Sequence, residues 1–344
     1  MSLSGRLSLP ERIDNFQHRH PSTGYPLAVL YKFFDDQGGY LAALIAYYGF
    51  VSLFPLLLVF TSILGIVLRD NPQLEQQILD SALSQIPVIG SQLRETGTIS
   101  GSGVAVAIGV AGAIYGGLGV AVAIQNAMNI IWNVPRNERP NPIQARLKGA
   151  VLLLTIGGSI IGLTVLNGFV AAVDLGTVGK PLAIIASVLL YTTVFTIAFV
   201  IGTARSVSMR DVLPGAIAAA LCWQALQTFG SVYVQRVIVR SSATNGVFAV
   251  VLGLLAFLYI AAVLVIFCVE SNAVRVDKLY PRSVLTPFTD NVVLTPGDEA
   301  AYTAQAQAQR SKGFEEIEVS FDNPATADTD AESSATSRQP DLER

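Results

Sequence analysis

Long uncharged apolar runs dominate this sequence, and they decide what the chain can fold into. They lie at about 40–68, 103–132, 148–172, 181–203, 211–235 and 246–270, the fifth being the least apolar. A hydrocarbon core of about 30 Å is crossed by about 20 apolar residues as α-helix. In lipid every backbone N–H and C=O must be satisfied within the structure, so such runs fold as helices. No segment alternates with period two at the length of a barrel strand. Composition agrees: 51% of residues are hydrophobic and 14% charged, against about 25% charged in a typical soluble domain. The expected fold is an all-α membrane protein with six transmembrane helices, short interfacial helices and a disordered acidic C-terminal tail.

Two segments are too short and polar to span. "PLAVLYKFFDD" places Leu27, Leu30, Tyr31 and Phe34 at helical spacing, and "NPQLEQQILDSALSQIP" does the same with Leu74, Ile78, Ala82 and Ile86. Each suits an amphipathic helix at the membrane surface or packed on protein. Orientation follows from Lys and Arg near the span ends. Thirteen fall on the side holding the N-terminus, the loops after the second and fourth runs and the start of the tail; five, namely Arg69, Arg94, Lys180, Arg236 and Arg240, fall on the other. Both termini are therefore expected in the cytoplasm, in the cytoplasmic (inner) membrane. Residues 1–25 read as a cytoplasmic N-terminal segment without the apolar stretch of a signal peptide, 26–283 as the six-span domain, and 284–344 as the disordered tail. From Asp298 onward there are eleven acids and four bases, a net −7 within a total of −3, and few apolar residues.

The second run, with "GAIYGGLGVAVAIQNAMNIIWNVPRNERPN" from Gly112 to Asn141, carries the most unusual pattern. It is no phosphate-binding loop. Gly117-Leu118-Gly119 lacks the third glycine of a dinucleotide fingerprint and the lysine of a Walker loop, and its flanks are apolar. On a helix at about 100° per residue with Gln125 at zero, Gly109, Gly112, Gly116, Gly119, Ala123 and Ala127 fall between about 120° and 200°. That stripe of small residues lets a second helix approach closely. Gly158 and Gly162 repeat the spacing in the third run. Tyr115, Gln125, Asn126, Asn129 and Trp132 fall between about −20° and 100°, on a separate polar face. Buried amides need partners or water. They tie helices together, or they line a wet cavity.

Gln224 and Gln227 in the fifth run and Glu270 at the end of the sixth are the other candidates for such a cavity. Pro55 is expected to kink the first run. The loop residues Arg136, Arg139, Arg146 and Lys148 satisfy the positive-inside pattern. They are also candidates to attract an anionic lipid headgroup, at about 1 kcal/mol per basic residue near the surface. Cys222 and Cys268 lie inside apolar runs and read as small buried hydrophobes. With His18 and His20 as the only histidines, neither a metal site nor a cofactor is expected.

These stretches together resemble the YihY/BrkB family of bacterial inner-membrane proteins. The matching segments are "LAALIAYYGFVSLFPLLL" (41–58), "IYGGLGVAVAIQNAMNIIWNVPRNERPN" (114–141), "LPGAIAAALCWQALQ" (213–227) and "NGVFAVVLGLLAFLYIAAVLVIFCVESNA" (245–273). The resemblance implies six membrane helices with cytoplasmic ends, in keeping with the charge count. This chain has Cys268-Val269 where the family commonly has Gly-Ala, which puts close helix packing at that point in doubt. Members have been labelled ribonuclease BN, yet the sequence offers no dense His/Asp cluster and no basic, aromatic RNA-binding patch. A non-enzymatic protein is expected, a transporter or flippase-like conduit, with a non-transporting scaffold that recruits partners as the alternative. Its expected partners are the bilayer and an anionic lipid or small solute, not nucleic acid. The sequence leaves the oligomeric state open.

Overall fold

The computed structural model describes residues 13–14, 16–17, 19–67, 72–73, 76, 103–172, 179–233, 243–289 and 292–321. Among them there is no β-strand. The α-helices whose bounds fall among the described residues are, in order, α1 (Tyr25–Asp35), α2 (Gly38–Val67), α3 (Gly103–Ile131), α4 (Pro142–Ala172), α5 (Gly179–Gly202), α6 (Met209–Tyr233), α7 (Ala243–Val276) and α8 (Pro296–Gln307). Helices α2 to α7 overlie the six apolar runs. Three stretches of described residues are long and apolar enough to cross a membrane: Pro181–Gly202, Met209–Gly230 and Val251–Val276.

Helix ends follow local chemistry. α4 starts six residues ahead of the apolar run, because the Asn141 side chain accepts the Gln144 N–H at 2.9 Å and Pro142 occupies the first position. At the start of α6, Ser208 and Asp211 cap each other, with Ser208 Oγ donating to Asp211 at 2.7 Å and accepting its N–H at 3.3 Å. α2 runs through Pro55 without interruption.

The chain divides into two compact units. The larger spans Asp36–Val134 and Arg139–Asn272. Part of its core is Leu254 and Phe257 of α7, against Phe50, Leu53, Trp223 and Leu226. Trp223 and Phe257 meet edge to face at 6.2 Å, a favoured aromatic geometry.

The smaller unit gathers three separated stretches, Met1–Asp35, Pro135–Glu138 and Ala273–Arg344. Ala28, Val274, Leu279 and Ala301 form its apolar centre, flanked by Tyr25, Val29 and Tyr280. The first amphipathic segment is thus α1 packed on protein. Its apolar stripe is divided, for Tyr31 is buried while Leu30 and Phe34 are exposed. The second amphipathic segment, 71–87, lies almost wholly outside the described residues.

The tail differs from the sequence expectation. Part of 284–344 is ordered: α8 begins at a Thr295 capping box, with Thr295 Oγ1 accepting the Asp298 N–H at 3.1 Å. Gly297 sits where a Cβ would lie 2.3 Å from the Pro281 carbonyl oxygen, so only glycine fits this approach. Residues beyond 321 lie outside the described set.

Candidate functional site

The glycine face of α3 lies against α2. A Cβ at Gly112 would meet the Pro55 ring at 3.3 Å, one at Gly116 the Ser52 Cβ at 2.7 Å, and one at Gly119 the Tyr48 ring at 2.6 Å. Absent side chains let the two backbones close up, which is how membrane helices gain dispersion energy without a hydrophobic drive. Gly162 faces Leu190 only at 3.8 Å, and Gly158 has nothing within 4 Å. The surroundings of Gly109 fall outside the described side chains.

Two amides of the polar face of α3 bond mainly to backbone. The Gln125 amide donates to the Ala145 carbonyl of α4 at 2.8 Å and to Ala121 of its own helix at 3.2 Å. Asn129 Oδ1 accepts the Ala204 N–H at 2.7 Å and, more weakly, the Thr203 hydroxyl at 3.5 Å, just after α5 ends. Both amides are almost fully enclosed. Trp132 is buried as well, and the Arg205 guanidinium stacks over its ring at 5.3 Å. Arg205 also donates to the Trp132 carbonyl at 3.5 Å, placing a cation at the C-terminal end of α3, where the helix dipole favours one. Asn126 is half-buried and Tyr115 is exposed. Asn129 and Trp132 thus meet the same 203–205 segment, while Gln125 meets α4.

Gln224 and Gln227 are half-buried on α6. Glu270 is wholly buried near the end of α7. Two residues beyond it, Asn272 does what sequence reasoning missed. Its amide accepts the Gly215 N–H at 2.9 Å and donates to the Val212 carbonyl at 2.9 Å, clipping α7 onto the first turns of α6. Pro214 precedes this point and has no N–H to offer. A Cβ at Gly215 would lie 2.3 Å from both the Cys268 carbonyl oxygen and the Asn272 amide nitrogen. Close approach at Cys268 is thus supplied from the facing helix, where a glycine directly after a proline was the available signal.

Of the basic loop residues, Arg136 and Arg146 are exposed and Lys148 is half-buried. Arg139 Nε donates to the Val134 carbonyl at 3.1 Å.

In the smaller unit, Arg282 is the central charge. It is buried between the rings of Tyr31 and Tyr302, at 5.9 and 5.1 Å, and pairs with Asp298 and with Asp35, the latter at 3.1 Å. Asp298 also accepts the Ser283 N–H at 3.0 Å. Burial works against the guanidinium's charge, but Asp35 and Asp298 outweigh it and raise its pKa. Burial is also the main cause raising the Tyr31 and Tyr302 phenols above their ordinary 10.0. The Tyr31 hydroxyl donates to the Val284 carbonyl at 2.6 Å, and Gln305 donates to the Asp35 carbonyl at 2.9 Å.

A family model described as "Virulence factor BrkB" matches residues 29–289. YfkH of Bacillus subtilis (strain 168), whose name calls it ribonuclease-like, is 27% identical over 257 residues, covering 69% of this chain and 90% of its own. The inner membrane protein YhjD of Escherichia coli (strain K12) is 23% identical over 290 residues, covering 77% of this chain and 84% of its own. No solved structure matches.

Proposed function

The chain belongs to the YihY/BrkB family of membrane proteins, and from that premise we propose a six-span cytoplasmic-membrane protein, both termini cytoplasmic, acting as a transporter or flippase-like conduit. Glu270 is the observation that carries this reading. It is a wholly buried carboxyl inside the apolar Val251–Val276 stretch. An ionisable group in such a place is expensive and is kept where an ion or solute passes. Gln224 and Gln227, half-buried on α6, are the polar groups we assign to the same path. The exposed bases Arg136 and Arg146 fit an anionic lipid or small anionic solute gathering at the cytoplasmic face.

Reconstitution into liposomes tests the reading. The native protein is expected to support flux of an ion, a small solute or an anionic lipid. Glu270→Gln should reduce that flux by about tenfold or more, the loss expected when an ionisable group essential to passage is removed, while the protein stays helical and monodisperse. A native protein that moves none of these three classes sinks the proposal. We also take the chain to be non-enzymatic. RNA turnover by the purified, metal-supplemented protein, abolished by a point mutation in the membrane helices, would overturn that part.

A further inference from the structure

The C-terminal segment is held in two places that differ in kind. The first hold is buried: Arg282 and Asp298 pair with side chains 1% and 0% exposed. The second lies at the surface. Just after α8, the Ala308 carbonyl accepts the Arg136 N–H at 3.2 Å and the Arg310 carbonyl accepts the Asn137 N–H at 3.2 Å. Arg310 then pairs with Glu138, and its Nε donates to Asn137 Oδ1 at 3.3 Å. Here the side chains are 33% and 55% exposed. Exposed ion pairs are screened by salt and buried ones far less. One end of α8 is therefore fixed, and the other is held by two backbone hydrogen bonds and an ion pair that ionic strength weakens.

The partner of that weak contact is the turn joining α3 to α4, whereas α8 follows α7 in the chain. The Arg310–Glu138 pair spans 172 residues of sequence. It links the connection between the two helices that share Gln125 to the chain beyond the helix that carries Glu270.

We propose that residues 308–310 form a salt-sensitive clasp on the 136–138 turn, anchored by Arg282–Asp298 and released at Arg310–Glu138, and that the engaged clasp restrains the α3–α4 connection. Its effect on flux rests on the conduit reading; its existence does not. Release frees the turn and raises transport.

Cross-linking of the full-length protein tests it. Arg136→Cys and Gln309→Cys are introduced with Cys222→Ala and Cys268→Ala, and a short bismaleimide reports proximity. Yield should fall about threefold or more from about 0.01 M to about 1 M potassium chloride, as the screening length drops from about 30 to about 3 Å. Glu138→Gln should bring the low-salt yield down to the high-salt level. The exchange Glu138→Arg with Arg310→Glu should restore it. A yield indifferent to both salt and Glu138→Gln overturns the clasp. In liposomes at low salt, Glu138→Gln should raise flux about twofold or more, the scale of a weak exposed pair. Cross-linking that responds while flux does not would overturn the restraint. A native protein without flux condemns the conduit alone, since the cross-linking result stands by itself.

Discussion

At the scale of single residues, Gly215 and Asn272 define the tightest approach among the described glycines of the larger unit. The Asn272 amide satisfies one donor and one acceptor on α6, and it reaches them because Gly215 has no side chain. Gly215→Ala would drive a methyl into the Cys268 carbonyl and the Asn272 amide. Overpacking of this kind costs about 1–3 kcal/mol, and displacing the amide leaves buried polar groups unmet at about 1–3 kcal/mol more. Thermal unfolding in detergent should show a clear loss, and an unchanged melting temperature would mean that the two helices part without cost. Gly215 announces itself only as a glycine directly after Pro214, and Asn272 not at all. An asparagine after a glutamate at a helix end reads as an interfacial polar residue. What Gln125, Asn129 and Asn272 touch is backbone, chiefly Ala145, Ala204, Gly215 and Val212, and backbone atoms carry no residue identity to search for. Helical geometry separates the amide face from the glycine face; it is silent on what the amides meet.

At the scale of elements, α2 to α7 are legible because each demands a long apolar run, and α8 is not because it needs none. Its residues are largely alanine, glutamine and acids. It is fixed by a cap and by one buried carboxylate whose partner lies 16 residues back. A long-range pair leaves no periodic trace, and an alanine-rich acidic stretch after a membrane domain has the composition of disorder. The glycine stripe of α3 yields a contrast that can be measured. Gly116 lies against Ser52, whereas Gly158 in α4 has nothing within 4 Å. Gly116→Ala should destabilise by about 1–3 kcal/mol through overpacking. Gly158→Ala should be neutral or stabilising by up to about 1 kcal/mol through helix propensity. Equal losses at both sites, measured by thermal unfolding, would contradict a seam specific to α2 and α3.

At the scale of the whole molecule, one unit is built of apolar helices and the other is organised around a buried charge. The second responds to alkali. Tyr31 and Tyr302 keep their protons to higher pH when folded than the ordinary 10.0, chiefly through burial. Folded phenols with raised pKa contribute stability that is complete below pH 10.0 and is lost as the pH climbs through their folded values. The smaller unit should therefore begin to loosen only above pH 10.0, seen as tyrosinate absorbance rising together with protease cleavage between α7 and α8. Tyr31→Phe removes one titrating group and should make the alkaline loss shallower; an equally steep loss would assign it elsewhere. The assembly of this unit also sets a schedule for biosynthesis. Asp35 leaves the ribosome early, but Arg282 follows it by 247 residues, about 12–50 s at typical bacterial elongation rates of about 5–20 residues per second. Asp298 comes later still. α1 must wait, its acidic end unmatched, until every apolar helix has been synthesised. Closure of the unit thus reports that every helix from α1 to α7 has been made, and a nascent protein stalled anywhere before Asp298 would present an incomplete charge cluster to the cell's proteases.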